Sequence, residues 1–240
     1  MMSKHETHKS SGHIQILWML AIIFLLTQTI KAQNPPINYE DLMVQYGLVD
    51  IQAVDPTIMV DLKYASEDNF MGKDMYGSLR KAYALPHIAE KLKKANAILR
   101  LNSKDSLCLV IYDAARPKSV QEYMYSIVQG TPQSVYVAKP TKGGRHNFGV
   151  AVDLSIWNKS SEKEIDMGTP FDFFGESAHL GQEEKLLQKG LISKESIKNR
   201  RLLIDLMKKV GLRPYHREWW HYEEPMPISE VRRRFKLLDF

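Results

Sequence analysis

Apolar positions change their period several times along this chain, and each change marks an element. Asp50–Tyr64 alternates loosely, and Ile58–Tyr64, rich in β-branched residues, predicts a strand. Asn69–Gly77, with two glycines, predicts a loop. After Pro86 the apolar residues Ile88, Leu92, Ala95 and Leu99 recur at helical spacing, so a helix is expected to about Leu101. Leu107–Tyr112 is a continuous apolar run suited to a buried strand. Ser119–Gln129 returns to helical spacing through Val120, Tyr123, Met124 and Ile127, and Thr131–Thr141, with two prolines, reads as loop. Val150–Ile156 predicts a strand, Asn158–Glu164 a polar turn and Met167–Gly175 an irregular stretch. Gln182–Lys189 and Lys194–Val210 predict helices, with Gly211 as a helix stop. Trp219–Tyr222 favours strand. Helices and strands mix without a βαβ repeat, which points to an α+β fold.

The first 32 residues have another pattern. Lys4, His5, His8 and Lys9 precede Ile14–Leu26, apolar but for Gln15, and a more polar stretch ends at Ala32. This thirteen-residue stretch falls short of the ~20 that span a bilayer and suits a secretory signal. The expectation is a signal peptide at 1–32, a linker and lead-in at 33–49 and one domain at 50–240, with export to the periplasm or medium and no stable membrane association after cleavage. An uncleaved anchor is the alternative. Losing the first 32 residues lowers the net charge from +5 to +3, which gives no case for a nucleic-acid partner. The dense basic run Arg232–Arg234 reads as a solvated helix end or tail. Cys108, the only cysteine, excludes an internal disulfide and reads as a small core residue.

Candidate chemistry lies in two stretches. Gly143–Asp153 places His146 and Asp153 seven residues apart, and Glu218-Trp219-Trp220-His221 adds a second histidine beside a carboxylate. His146, Asp153 and His221 match the two-nitrogen, one-oxygen donor set of a catalytic zinc ion, whereas magnesium or calcium would take oxygen ligands. Seven residues of straight strand would span about 23 Å. The chain must therefore bend between His146 and Asp153, and Gly149 is the natural place. Glu218 and His221 would share a face on a helix but not on a regular strand, so a bulge or strand end is expected there. Glu218 can then take a proton from zinc-activated water and return it to a leaving amine. Arg116, just past the buried strand, can face the oxyanion. By spacing alone, the tryptophans as plain core, with Glu218 and His221 incidental, and Arg116 in a surface salt bridge remain alternatives.

The chain resembles the zinc D-alanyl-D-alanine dipeptidases, including the vancomycin-resistance type. The motifs are Asp61-Leu62-Lys63-Tyr64-Ala65, Asp68–Lys73, Asp113-Ala114-Ala115-Arg116-Pro117, His146–Asp153, Met167–Phe173, Asn199-Arg200-Arg201 and Glu218–Tyr222. They occur in the family's order. The resemblance implies a zinc D,D-peptidase (hedgehog/DD-peptidase-like) fold, with a central, mainly antiparallel sheet flanked by helices. It implies one zinc ion on His146, Asp153 and His221, Glu218 as catalytic base and Arg116 polarising the scissile carbonyl. It also implies Tyr64 and Asp172 in the pocket of a small D,D-dipeptide, with Asp113 orienting Arg116.

Two positions depart from the pattern. Family members usually carry serine two residues before the first histidine, where it binds the substrate carboxylate; here the residue is Gly144, and Arg145 is the candidate replacement. Ala114-Ala115 stands where glycine and tyrosine are common. The expected function is hydrolysis of D-alanyl-D-alanine or a close D,D-dipeptide in cell-wall peptide metabolism. A carboxypeptidase acting on longer stem peptides and a non-catalytic zinc-binding wall module are the alternatives.

Overall fold

The computed structural model describes residues 38–240; the expected signal at 1–32 and all but the last residue of the 33–38 linker lie outside the described residues. The lead-in is more ordered than its sequence suggests. Asn38 accepts a hydrogen bond from the Asp41 N–H and caps helix α1 (Tyr39–Gln45), which buries Met43. Strand β1 (Val49–Asp50) and helix α2 (Ile51–Val54) follow, and β1 pairs with β3 (Tyr83–Ala84) in a small antiparallel ribbon.

The strand expected over Ile58–Tyr64 is shorter than its composition implies. Only β2 (Met59–Val60) joins the main sheet, parallel to Val110–Ile111. Lys63–Ala65 then winds into a 3₁₀ turn that buries Tyr64. The β-branched content is genuine, but the strand ends where Tyr64 turns inward.

Helix α3 (Pro86–Asn102) begins with its proline at the first turn, where no N–H is needed, and buries Ile88, Leu92, Ala95 and Leu99. Strand β4 (Leu107–Asp113) holds Cys108 in the core. Helix α4 (Lys118–Val128), strand β5 (Ala151–Asn158) and the short β6 (Lys163–Glu164) come next. The polar turn thus closes a hairpin, with β6 folded back on Trp157–Asn158. Helices α5 (Glu183–Gln188) and α6 (Lys194–Lys209), the latter opened by a Ser193/Ser196 capping box, precede β7 (Arg213–Tyr215), β8 (Glu218–Glu223) and α7 (Ile228–Arg234).

The sheet order is β2-β4-β5-β8-β7, with β6 beside β5. Only the β2–β4 pairing is parallel, so the sheet is mainly antiparallel as expected. β5 is buried from Ala151 to Ile156, with Val152, Leu154 and Ile156 in the main core. That burial explains why its sequence is nearly all apolar apart from Asp153 and Ser155. Residues 38–240 form one compact unit, and among the described residues no helix is long and apolar enough to cross a membrane. The basic run is split in use: Arg233 and Arg234 pair with Glu230 on the exposed face of α7, whereas Arg232 donates to the carbonyls of Lys142 and Gly143.

Candidate metal centre and active site

The bend between the first two candidate ligands falls at Gly149. His146–Phe148 forms a 3₁₀ turn closed by the Gly149 N–H on the His146 carbonyl, and Gly149 adopts φ +66°. A side chain there would be strained by that φ and would also meet Leu48 at 3.0 Å. The chain then enters β5, where Asp153 lies directly across the antiparallel ladder from His221 on β8. Between β7 and β8 the register jumps: Pro214 faces Tyr222, but Tyr215 faces Glu218. This irregularity is the bulge that the Glu218/His221 spacing required, and it turns both side chains toward one pocket.

Three ligand atoms converge. His146 Nε2 lies 3.2 Å from His221 Nδ1 and 3.6 Å from Asp153 Oδ1, and His221 Nδ1 is 2.9 Å from that oxygen. Tetrahedral zinc with bonds near 2.0–2.2 Å separates its ligands by about 3.3 Å, so the triangle fits such an ion. The remaining ring nitrogens are also engaged. His146 Nδ1 is 2.8 Å from the Ala114 carbonyl, and His221 Nε2 is 3.3 Å from Glu223. Each contact aims the other nitrogen at the centre. Burial lowers the pKa of His146, which favours the neutral ring that ligation needs. His221 differs: burial opposes its charge, but hydrogen bonds to Asp153 and Glu223 outweigh that, and its pKa rises to about 10.

Glu218 sits beside this triangle, with Oε2 3.7 Å from His221 Nδ1. Burial raises its pKa to about 7, where a carboxylate can both take and return a proton. Arg116 is almost wholly buried in the pocket wall, so the surface salt bridge is not its role. Asp113 receives one guanidinium nitrogen and Gln121 Oε1 the other at 2.8 Å, while the buried Arg116 Nε has no partner among the described residues. Asp113 also accepts from the Tyr76 hydroxyl and the Ala114 N–H. Across the pocket the Tyr64 hydroxyl donates to Asp172 at 2.8 Å, and the Arg116 guanidinium lies 4.9 Å from the Tyr64 ring centre. Packing around the Asp172 carboxyl raises its pKa well above the usual range, although part of the residue still faces the pocket. Every candidate residue except Asp113 lines one cavity of about 260 Å³, and Asp113 stands directly behind Arg116. The volume is below the ~300–1,000 Å³ typical of sites for drug-sized ligands.

Arg145 does not take the role its sequence position suggested. Its Nε pairs with Glu223 at 2.7 Å, and its terminal nitrogens donate to the carbonyls of Glu224 and Met226. The cation is committed to the support of His221. A side chain at Gly144 would be tight: a Cβ there would lie 3.1 Å from Ala138 Cβ, which would have to give by a few tenths of an ångström. Glu223, Gln121 and Tyr76 were not marked as functional by sequence. Of the three, only Glu223 had a local signal: it stands two positions past His221, on the same strand face.

A His-Asp-His triangle with an adjacent carboxylate of near-neutral pKa and a buried arginine defines a metal-dependent hydrolase. The family model described as D-ala-D-ala dipeptidase, Peptidase_M15, matches residues 44–236, and the chain belongs to this family. The D-alanyl-D-alanine dipeptidase of Escherichia coli (strain K12) is 33% identical over 184 residues, 76% of this chain and 86% of that protein. The dipeptidase of Enterococcus faecium is 29% identical over 78% of this chain and 96% of its own length. A solved structure of a mutant of the vancomycin resistance D,D-pentapeptidase VanY, in complex with Zn(II), covers 64% of this chain and 80% of that chain, at 13% identity and a TM-score of 0.36. So slight a likeness adds nothing to the family assignment.

Proposed function

We propose that this chain hydrolyses D-alanyl-D-alanine, or a closely related D,D-dipeptide, in cell-wall peptide metabolism. The observation that carries the reading is the joint placement of Glu218, Arg116 and the Tyr64–Asp172 pair around the ligand triangle, in a cavity of dipeptide scale. His146, Asp153 and His221 would hold zinc, which when bound supplies Lewis acidity to the carbonyl and to water.

The chain's own residues account for the rest. Glu218 takes the proton of the attacking water and delivers it to the departing amine. Arg116, held from behind by Asp113 and from the side by Gln121, lines the pocket as a fixed positive charge for the oxygen that gains charge. Asp172, with Tyr64 beside it, receives the substrate ammonium. Burial raises the pKa of this carboxyl and an arriving ammonium opposes that rise, so this end favours a free amino terminus over a longer stem peptide. The N-terminal pattern supports a place of action outside the cytoplasm.

Replacing Glu218 with alanine should lower kcat on D-alanyl-D-alanine by about 10²–10⁴-fold while zinc stoichiometry stays at one. Full turnover in that variant overturns the mechanism. Hydrolysis of a stem pentapeptide in preference to the free dipeptide by the unaltered enzyme overturns the substrate assignment.

A further inference from the structure

Asn199 and Arg200 belong to a sequence motif that the chemistry around the metal leaves without a task. Arg200 lies on α6, only 1% exposed, and makes no ion pair with a described carboxylate. Burial lowers its pKa to about 10, yet it stays charged at neutral pH. Its Nε donates to the Met167 carbonyl at 2.6 Å and its Nη2 to the Ser177 carbonyl at 2.8 Å. Asn199 Nδ2 donates to the Asp166 carbonyl at 2.9 Å.

These three carbonyls bracket one irregular segment, and Asp172 is at its centre. The segment is pressed against α6 and the turn before it: a Cβ on Gly168 would meet Ser196 Oγ at 2.9 Å and Ile192 at 3.0 Å. Trp219, next to Glu218, donates from Nε1 to Thr169 Oγ1 at 2.8 Å. Asp172 itself adopts φ +57°, a left-handed conformation that a non-glycine residue holds when its surroundings enforce it. The forked guanidinium joins two carbonyls ten residues apart in sequence through two separate nitrogens in fixed geometry, which a lysine in place of Arg200 would not supply.

We propose that Asn199 and Arg200 are positioning residues for substrate recognition, clamping both ends of segment 166–177 so that Asp172 meets the substrate ammonium. The proposal rests on the reading of Asp172 as the ammonium partner. The clamp acts on binding: Arg116 follows β4, the metal ligands hang on β5, β8 and the turn before β5, and Glu218 on β8, which meets the segment through Trp219 and Thr169.

The test is a double-mutant cycle on full-length, zinc-loaded protein with D-alanyl-D-alanine, using Asn199→Ala, Arg200→Lys and Asp172→Asn. Asn199→Ala and Arg200→Lys are each expected to raise KM about fivefold or more, with kcat changed less than about twofold and zinc stoichiometry retained. In the Asp172→Asn background the same changes should raise KM by less than about twofold, since their effect passes through Asp172. Asn199→Ala carries the test alone if Arg200→Lys does not fold. An unchanged KM in Asn199→Ala, with KM raised in Asp172→Asn, overturns the clamp but keeps the Asp172 reading. Equal rises in KM with and without Asp172, or a loss confined to kcat, also overturn the clamp. An unchanged KM in Asp172→Asn overturns the Asp172 reading and the clamp with it.

Discussion

Nε2 of His221 lies 3.3 Å from the Glu223 carboxylate, two positions along the same strand, and Glu223 is itself held by Arg145 and Arg213. This contact determines which ring nitrogen His221 offers the metal. Outer carboxylates of this kind typically contribute about 10–100-fold in metal affinity. Glu223→Gln is therefore expected to weaken zinc binding by about tenfold or more, as measured by competition with a chelator of known affinity. An unaltered dissociation constant would contradict the role.

Without metal, the same ring is bracketed by Asp153 and Glu223 and stays protonated up to about pH 10. Zinc can take Nδ1 only if a proton leaves. At pH 8 Glu218, near 7, is already mostly ionised, so His221 is the main source. Calorimetry in buffers of differing ionisation enthalpy should report release of about one proton per zinc at pH 8. Release of none would refute the protonated ring.

Asp172 makes a prediction about stability. Burial raises the pKa of its carboxyl well above the usual range in the folded protein, against the opposing hydrogen bond from Tyr64, while the unfolded chain releases its proton near pH 4. Above that pH the folded state binds more protons than the unfolded state, so stability falls as pH rises toward the folded pKa. Asp172→Asn should be more stable than the parent at pH 8, with the difference shrinking toward pH 4, as read from denaturant midpoints. A difference independent of pH would exclude this cause.

Gly144 packs closely against Ala138. Gly144→Ser alone forces Ala138 to yield and should cost about 1–3 kcal/mol in urea unfolding. Adding Ala138→Gly should recover most of that loss. If a hydroxyl at this position grips a carboxylate, the paired variant should also show a lower KM for D-alanyl-D-alanine than Ala138→Gly alone. No recovery by the second substitution would show that another contact excludes the serine.

The parts of the site that could be read from sequence were those set by chain geometry. His146 and Asp153 cannot share an ion across a straight strand, so Gly149 had to bend. Glu218 and His221 cannot face one pocket from a regular strand, so β8 had to bulge. What could not be read was set by distant partners. Arg145 sits beside the first ligand, and only the fold shows it serving Glu223 behind the third. The strand at Ile58–Tyr64 was overextended because alternation does not reveal where a parallel neighbour stops pairing. Helix α1 was missed because seven residues with one fully buried side chain leave little periodicity to detect.

Asp153 and His221 face each other across adjacent antiparallel strands, so the backbone ladder sets the distance between two of the three ligands. Most small zinc modules acquire their shape from the ion. Here the sheet holds the cradle, and removing the metal should leave a folded protein with its pocket intact, able to be switched off and on by metal supply without passing through an unfolded chain.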